Sequence, residues 1–179
     1  MSSYAVDGEA KVGTTEAAGR FDEWYRAEYR AVVGLAYALS GSRTAAEELA
    51  QEAFLAAHRS WGRVGRYDDP GAWVRRAVAN RSVSRLRRLG SEGRALARLA
   101  GRSADTADAA PGPDPEFWAA VRALPTRQAQ AVALHYLEER TVDEIAEILG
   151  CAPGTVKVHL HRGRRALAER LRCTMEDET

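Results

Sequence analysis

Between Gly90 and Asp114 the chain reads GSEGRALARLAGRSADTADAAPGPD, and this stretch divides it into two blocks. Four glycines, two prolines ahead of Asp114 and many small polar residues make it a connector, although Arg94 to Leu99 can prolong a preceding helix. About 20 such residues, fully extended, would span roughly 70 Å, or about two turns of duplex DNA. The 179 residues therefore supply two small units in place of one large core. Neither block alternates apolar and polar residues for more than a few positions, and both repeat apolar residues at helical spacing. The expected fold class is all-α: two small helical domains joined by a flexible linker.

In the first block, residues 1–19 read as a disordered lead, poor in large apolar groups. A helix is expected from Phe21 to Leu39, where Phe21, Tyr25, Tyr29, Val32, Val33, Ala36 and Leu39 form a stripe. A second should begin near Ser42 or Thr44, with Thr44 and Glu47 at capping-box spacing, and should end near Trp61 ahead of Gly62 and Gly65. Asp69 then suits an N-cap and Pro70 a first helical turn, which places DDPGAWVRRAVANRSVSRLRR at the start of a third helix reaching Leu89.

At 100° per residue that helix has three faces. Val74, Val78, Ser82, Leu86 and Leu89 form a packing face, and Trp73, Arg76, Asn80, Ser84 and Arg87 a face able to meet DNA. Arg81, Arg85 and Arg88 form a strip suited to phosphates. Trp73 serves equally well as a core anchor, and Asn80 as an amide bonded to a neighbouring helix.

The second block reads as four helices, 115–123, 126–137, 141–149 and 153–171, followed by an acidic tail at 174–179. Its last two helices, TVDEIAEILGCAPGTVKVHLHRGRRALAERL, have the layout of a helix-turn-helix, with Ile145, Ala146, Leu149, Val156, Leu160 and Leu167 as the buried seam. In such a unit the start of the second helix enters the major groove, so Thr155, Lys157, Val158, His161 and Arg162 are candidate base-reading residues. Arg164 and Arg165 suit phosphate contacts or plain surface charge.

Charge supports this division. The net charge is only +1, yet residues 70–102 hold nine arginines against Glu92, and Gly154 to Arg172 carries six cations against Glu169. Acidic clusters lie elsewhere, at Glu47, Glu48 and Glu52 and at Glu138, Glu139, Asp143, Glu144 and Glu147. Local basic faces are enough for a nucleic-acid binder.

Several classes are excluded. No apolar run is long enough to span a bilayer, and the N-terminus lacks a secretory pattern, so a cytoplasmic, nucleoid-associated protein with no membrane insertion is expected. Cys151 and Cys173 stand alone, and His159 and His161 point to different helix faces, so neither disulfide nor metal is expected. No nucleophile elbow, phosphate loop or carboxylate pair is present, which leaves no catalytic residue, no cofactor and no enzyme.

The order AEELAQEAFLAAHRSW, DDPGAWVRRAVANRSVSRLRR, a polar linker, ALPTRQAQAVALHYLEERTVDEIAEILG and CAPGTVKVHLHRGRRAL resembles an extracytoplasmic-function (ECF) sigma factor of bacterial RNA polymerase, over residues 20–172. The RVGRYDDPGAWVRR stretch is most similar to actinobacterial members. The resemblance implies sigma region two at 20–92, a linker at 93–113 and sigma region four at 114–173. It implies core RNA polymerase and promoter DNA as partners, with room for an anti-sigma factor. Glu48, Gln51, Glu52 and Leu55 would contact the clamp of the largest polymerase subunit, and an unstacked base of the −10 element would be captured near Tyr67, Asp68 and Asp69. Residues 154–162 would read the −35 element.

Two departures qualify the transfer. Val158-His159 follows GTVK where many relatives have Ser-Arg, so the −35 preference does not carry over, and His58 stands where an aromatic or basic residue is common. The helix-turn-helix by itself would also suit a regulator that binds operators without polymerase, and polymerase binding without promoter opening would suit an adaptor.

Overall fold

The computed structural model describes residues 7–82 and 114–177, with side chains for 19–82 and 114–172. The first module comprises α1 (Asp7–Ser40), α2 (Arg43–Arg59), the single turn α3 (Trp61–Val64) and α4, helical over 70–82. The second comprises α5 (Pro115–Arg122), α6 (Thr126–Tyr136), α7 (Val142–Leu149) and α8 (Pro153–Asp177). Among the described residues none lies in a strand, and no helix is long and apolar enough to cross a membrane.

α1 and α2 pack as an antiparallel pair through small residues. Ala36, Ala46, Ala50 and Ala53 are fully buried beside Val32, Leu35 and Leu49, and the alanines let the two backbones approach closely. At one end the rings of Phe21, Trp24, Tyr25, Phe54 and Trp61 interlock, with the Trp24 and Trp61 centroids 4.8 Å apart. This cluster fixes α3 and so aims the loop that leads into α4.

Two boundaries differ from expectation, and a third decides between the two starts expected for α2. α1 begins at Asp7, well ahead of Phe21: once the apolar stripe nucleates the helix, propagation is cheap through GEAKVGTTEAA, where Ala, Glu and Lys are good helix formers. Ser42, not Thr44, caps α2, its Oγ accepting from Ala45 N at 3.4 Å, while Glu47 turns to Arg43 at 3.1 Å. α8 runs through Arg172 into the segment read as a tail, as far as Asp177. The linker proposed at 93–113 lies outside the described residues.

In the second module α5, α6 and α7 surround the buried side of α8, where Val156, Leu160 and Leu167 meet Val121, Leu134, Ile145 and Ile148. Gly163 marks the closest approach, since a Cβ there would stand 2.9 Å from Val132 Cγ2. The two modules do not stand apart. α1 packs on α5 and α6, and one continuous apolar core runs through both modules. Leu134 is fully buried within it, so Leu134→Ala should lower unfolding stability by about 2–5 kcal/mol, measurable as a shift of the urea midpoint at unchanged slope.

Candidate nucleic-acid interface

Asp69 starts α4 as expected. Its Oδ1 accepts from Ala72 N at 3.0 Å, and Pro70 takes the first helical position, where a missing N–H costs nothing. Val74, Val78 and Ser82 are buried, which makes them the packing face. Arg76 and Asn80 are exposed on the next face. Trp73 is half-buried: one side packs on the core, and the other lines a cleft of about 640 Å³ together with Tyr67, Asp68, Asp69 and Arg76. Tyr67 and Asp68 are exposed and Asp69 is partly covered. Ser84, Arg85, Leu86, Arg87, Arg88 and Leu89 lie outside the described residues. The second module supplies part of the cleft wall through Glu147 of α7.

A further face of α4 escaped the sequence reading. Arg75 is buried at 3% exposure, Ala79 is covered, and both meet the second module. The Arg75 guanidinium donates through Nη1 to Glu28 of α1 at 2.6 Å and through Nε to Glu138, which follows α6. The Glu138 side chain is itself only 5% exposed and lies 3.7 Å from Arg140 Nε. Arg140 reaches Asp69 at 3.5 Å and Glu144 at 2.8 Å. One helical turn beyond Arg75, Gln130, fully buried on α6, donates Nε2 to the carbonyl of Ala79 at 2.7 Å.

Arginine cannot shed its proton, so the carboxylates beside Arg75 must balance its charge. Desolvation works against that charge, yet Glu138 and Glu28 carry the guanidinium above its usual value. Burial pushes the Glu138 carboxyl up, opposed by Arg75 and Arg140. In sequence, Glu138 looked like one member of an acidic surface cluster. The structure divides that cluster by role: the Glu138 side chain is covered, Glu144 caps a helix, and Glu139, Asp143 and Glu147 are exposed.

The helix-turn-helix is built by local chemistry. Thr141 and Glu144 form a reciprocal capping box on α7, with Thr141 N donating to Glu144 Oε2 at 2.8 Å and Glu144 N to Thr141 Oγ1 at 3.3 Å. Gly150 ends α7 in the left-handed region at φ 65°, which turns the chain into α8. A Cβ there would also run into the Arg76 guanidinium, so the same glycine seats an arginine of the first module. Thr155, Lys157, Val158, His161 and Arg162 are all exposed on α8. His159 is half-buried, and burial, with Arg127 and Arg162 nearby, holds its pKa below the usual value. Arg164 donates to the Tyr136 hydroxyl at 2.9 Å, and Arg165 lies 3.5 Å from Glu169.

In the first module, Glu48, Gln51, Glu52 and Leu55 share an exposed face of α2, with Leu55 50% accessible. Arg81, expected at phosphate, lies 3.5 Å from Glu52. His58 sets its ring edge-on to Phe21 at 4.8 Å, so it extends the aromatic cluster.

An arginine-bearing helix beside a polar cleft, an acidic face on α2 and an exposed second helix in a helix-turn-helix define a protein of two helical modules of the DNA-binding kind. Residues 24–92 match the family Sigma-70 region 2, and residues 115–167 match Sigma-70, region 4. The chain is 30% identical over 155 residues to the ECF RNA polymerase sigma factor SigW of Bacillus subtilis, covering 77% of this chain and 81% of that one. It is 32% identical over 156 residues to SigM of Mycobacterium tuberculosis, covering 84% and 76%. With SigE of Mycolicibacterium smegmatis it shares 33% identity over 175 residues, spanning 89% of this chain but only 64% of the relative. The sigma factor RpoE of Bartonella quintana, crystallised in complex with the anti-sigma factor NepR, superposes with a TM-score of 0.70 at 25% identity, over 85% of this chain and 96% of that one. The chain belongs to the ECF RNA polymerase sigma factors, alternative sigma factors of promoter-specific transcription.

The capping box makes stability depend on pH. Hydrogen bonds from the Thr141 backbone and hydroxyl, then from Arg140, hold the Glu144 carboxyl down to about 2 from 4.5. A depressed folded-state pKa contributes stability above the unfolded value, and that contribution is lost as pH falls from about 4.5 towards 2. Glu144→Gln should therefore melt at lower temperature than the parent at neutral pH, and the gap should narrow across that acid window in parallel thermal melts.

Proposed function

We propose that this sigma factor joins core RNA polymerase through the acidic face of α2 and opens the −10 element with α4 and the loop before it. The −35 element is read by the start of α8. The observation that carries the reading is the exposure of Thr155, Lys157, Val158, His161 and Arg162 on one helix whose other side is locked into the second module. In a helix-turn-helix those positions face base edges, and Arg164 and Arg165 lie further along the helix, where phosphates pass.

In the first module Tyr67, Asp68 and Asp69, with Trp73 beneath them, offer a ring, carboxylates and backbone polar groups to an unstacked base. Arg76, Asn80, Ser84 and Arg87 continue the contact along the strand, with Arg81, Arg85 and Arg88 at phosphates. Trp73 takes both roles left open by the sequence, as a core residue on one side and a cleft wall on the other. Glu48, Gln51, Glu52 and Leu55 combine charge with an exposed apolar side chain, as a protein partner requires. The module boundaries are 20–92 and 114–173, the site of action is the nucleoid, and an anti-sigma factor is a further partner.

Run-off transcription with core polymerase, followed by mapping of start sites, tests the reading. Promoter-specific initiation supports it, whereas tight operator binding without polymerase supports a self-sufficient repressor or activator. Asn80→Ala should weaken −10 selection more than holoenzyme assembly, and an unchanged promoter preference counts against the assignment. Charge reversal of Glu48 and Glu52 together should lower affinity for core enzyme at least tenfold in a pull-down or fluorescence titration. Full retention of assembly would remove α2 from the interface.

A further inference from the structure

Large apolar side chains are exposed at four places among the described residues. Leu55 lies on the acidic face of α2, Tyr67 lines the cleft before α4, and the Tyr136 ring carries the Arg164 guanidinium. The fourth, Val158, is 45% accessible near the start of α8 and takes no part in the apolar core. At about 100° per residue it points away from the protein: Val156, Leu160, Gly163 and Leu167, the buried side of α8, all lie roughly 140–180° round the helix from it. Neither burial nor helix propensity accounts for a valine there, since a β-branched residue on an exposed face is a poorer helix former than alanine.

The neighbours of Val158 give the position a shape and a charge. Gly154, one turn earlier on the same side, has open space where a Cβ would stand. Helical side chains lean towards the N-terminus, so the Val158 isopropyl group borders that notch. Lys157 and Arg162 stand exposed on either flank, and Thr155 and His161, also exposed, lie within about 60° of Val158. A small apolar step between cations calls for a partner that is polyanionic overall yet presents a methyl-sized apolar group. Unmodified duplex DNA offers one such group in its major groove, the C5 methyl of thymine.

We propose that Val158 and the open position at Gly154 form a methyl-reading step, and that the −35 element of this sigma factor holds a thymine, on one strand or the other, selected by its C5 methyl group. The inference rests on the assignment of α8 to the −35 element and adds to it the identity of a base. Cytosine carries hydrogen at C5 and an amino donor beside it, so it leaves the notch empty and sets a polar group against the isopropyl group. Lys157 and Arg162 remain available for phosphate or guanine, which fixes register without distinguishing thymine. The departure at Val158 thereby gains a function. Serine, which many relatives carry there, can hydrogen-bond to any base edge, whereas valine selects an apolar one.

The test starts from run-off transcription by the full chain with core polymerase on promoters randomised across the −35 element, which identifies the preferred base pairs. Each thymine of the preferred element, on both strands, is then replaced singly by deoxyuridine, which removes the methyl group and nothing else. At fixed salt, one such replacement should weaken holoenzyme binding to the promoter about fourfold, the worth of one buried methyl group. That discrimination should fall below about twofold in Val158→Ala, which withdraws the isopropyl group, and in Gly154→Ala, whose Cβ fills the notch. Both sites are exposed and alanine favours the helix, so circular dichroism should show unchanged helix content in each variant. A preferred −35 element with no thymine on either strand, or deoxyuridine tolerated at every position, overturns the methyl contact. Full discrimination retained in both variants overturns its assignment to Val158. Core-dependent initiation without any −35 preference removes instead the reading of α8 on which the inference stands, and the two failures are told apart by the library before any thymine is replaced.

Discussion

A guanidinium with almost no access to water organises this molecule. Arg75 carries a charge it cannot lose into an apolar core, and that is tolerable only because Glu28 and Glu138 arrive from two other places in the chain. Glu28 belongs to α1, within the same module, while Glu138 comes from the turn between α6 and α7. Removing one acid leaves buried charge uncompensated, a loss of a different order from that of a surface pair. The position of α4 relative to α6 and α7 therefore follows from charge balance as much as from the apolar core.

The helices were legible because their causes are local. Apolar residues at 3.6 spacing gave α1, α2 and the four helices of the second module; Asp69 and Pro70 marked the start of α4, and the bounds 141–149 fall within one residue of α7. The open choices and the differences were local competitions. Ser42 outcompeted Thr44 for the cap because Glu47 had Arg43 to pair with, and α1 started early because extending an existing helix needs little burial. The exposed candidates on α8 and α2 could be placed from a helical wheel, since solvent exposure there depends on one helix and its immediate neighbours.

The joint between modules was not legible, and the reason is physical. Arg75 stood in a row of arginines and Glu138 in a row of acids, so each looked like solvated charge. The two are 63 positions apart, and no periodicity links residues at such a separation. Gln130, an ordinary polar residue on α6, gave no signal that its amide would cross to the Ala79 carbonyl. A polar residue among helical apolar positions, as Gln130 is between Ala129 and Ala131, was the one trace available, because a buried amide must find a partner.

The pair between Glu52 on α2 and Arg81 on α4 has a quieter consequence. A surface contact at 3.5 Å contributes at most about 1 kcal/mol, too little to shape the fold. It does, however, join the side of the molecule that offers acids to the side that offers cations. A protein engaging Glu52 would release Arg81, and a phosphate engaging Arg81 would release Glu52. Two such surfaces would share a small reciprocal coupling, occupation of one raising the readiness of the other by the same factor in either order of arrival.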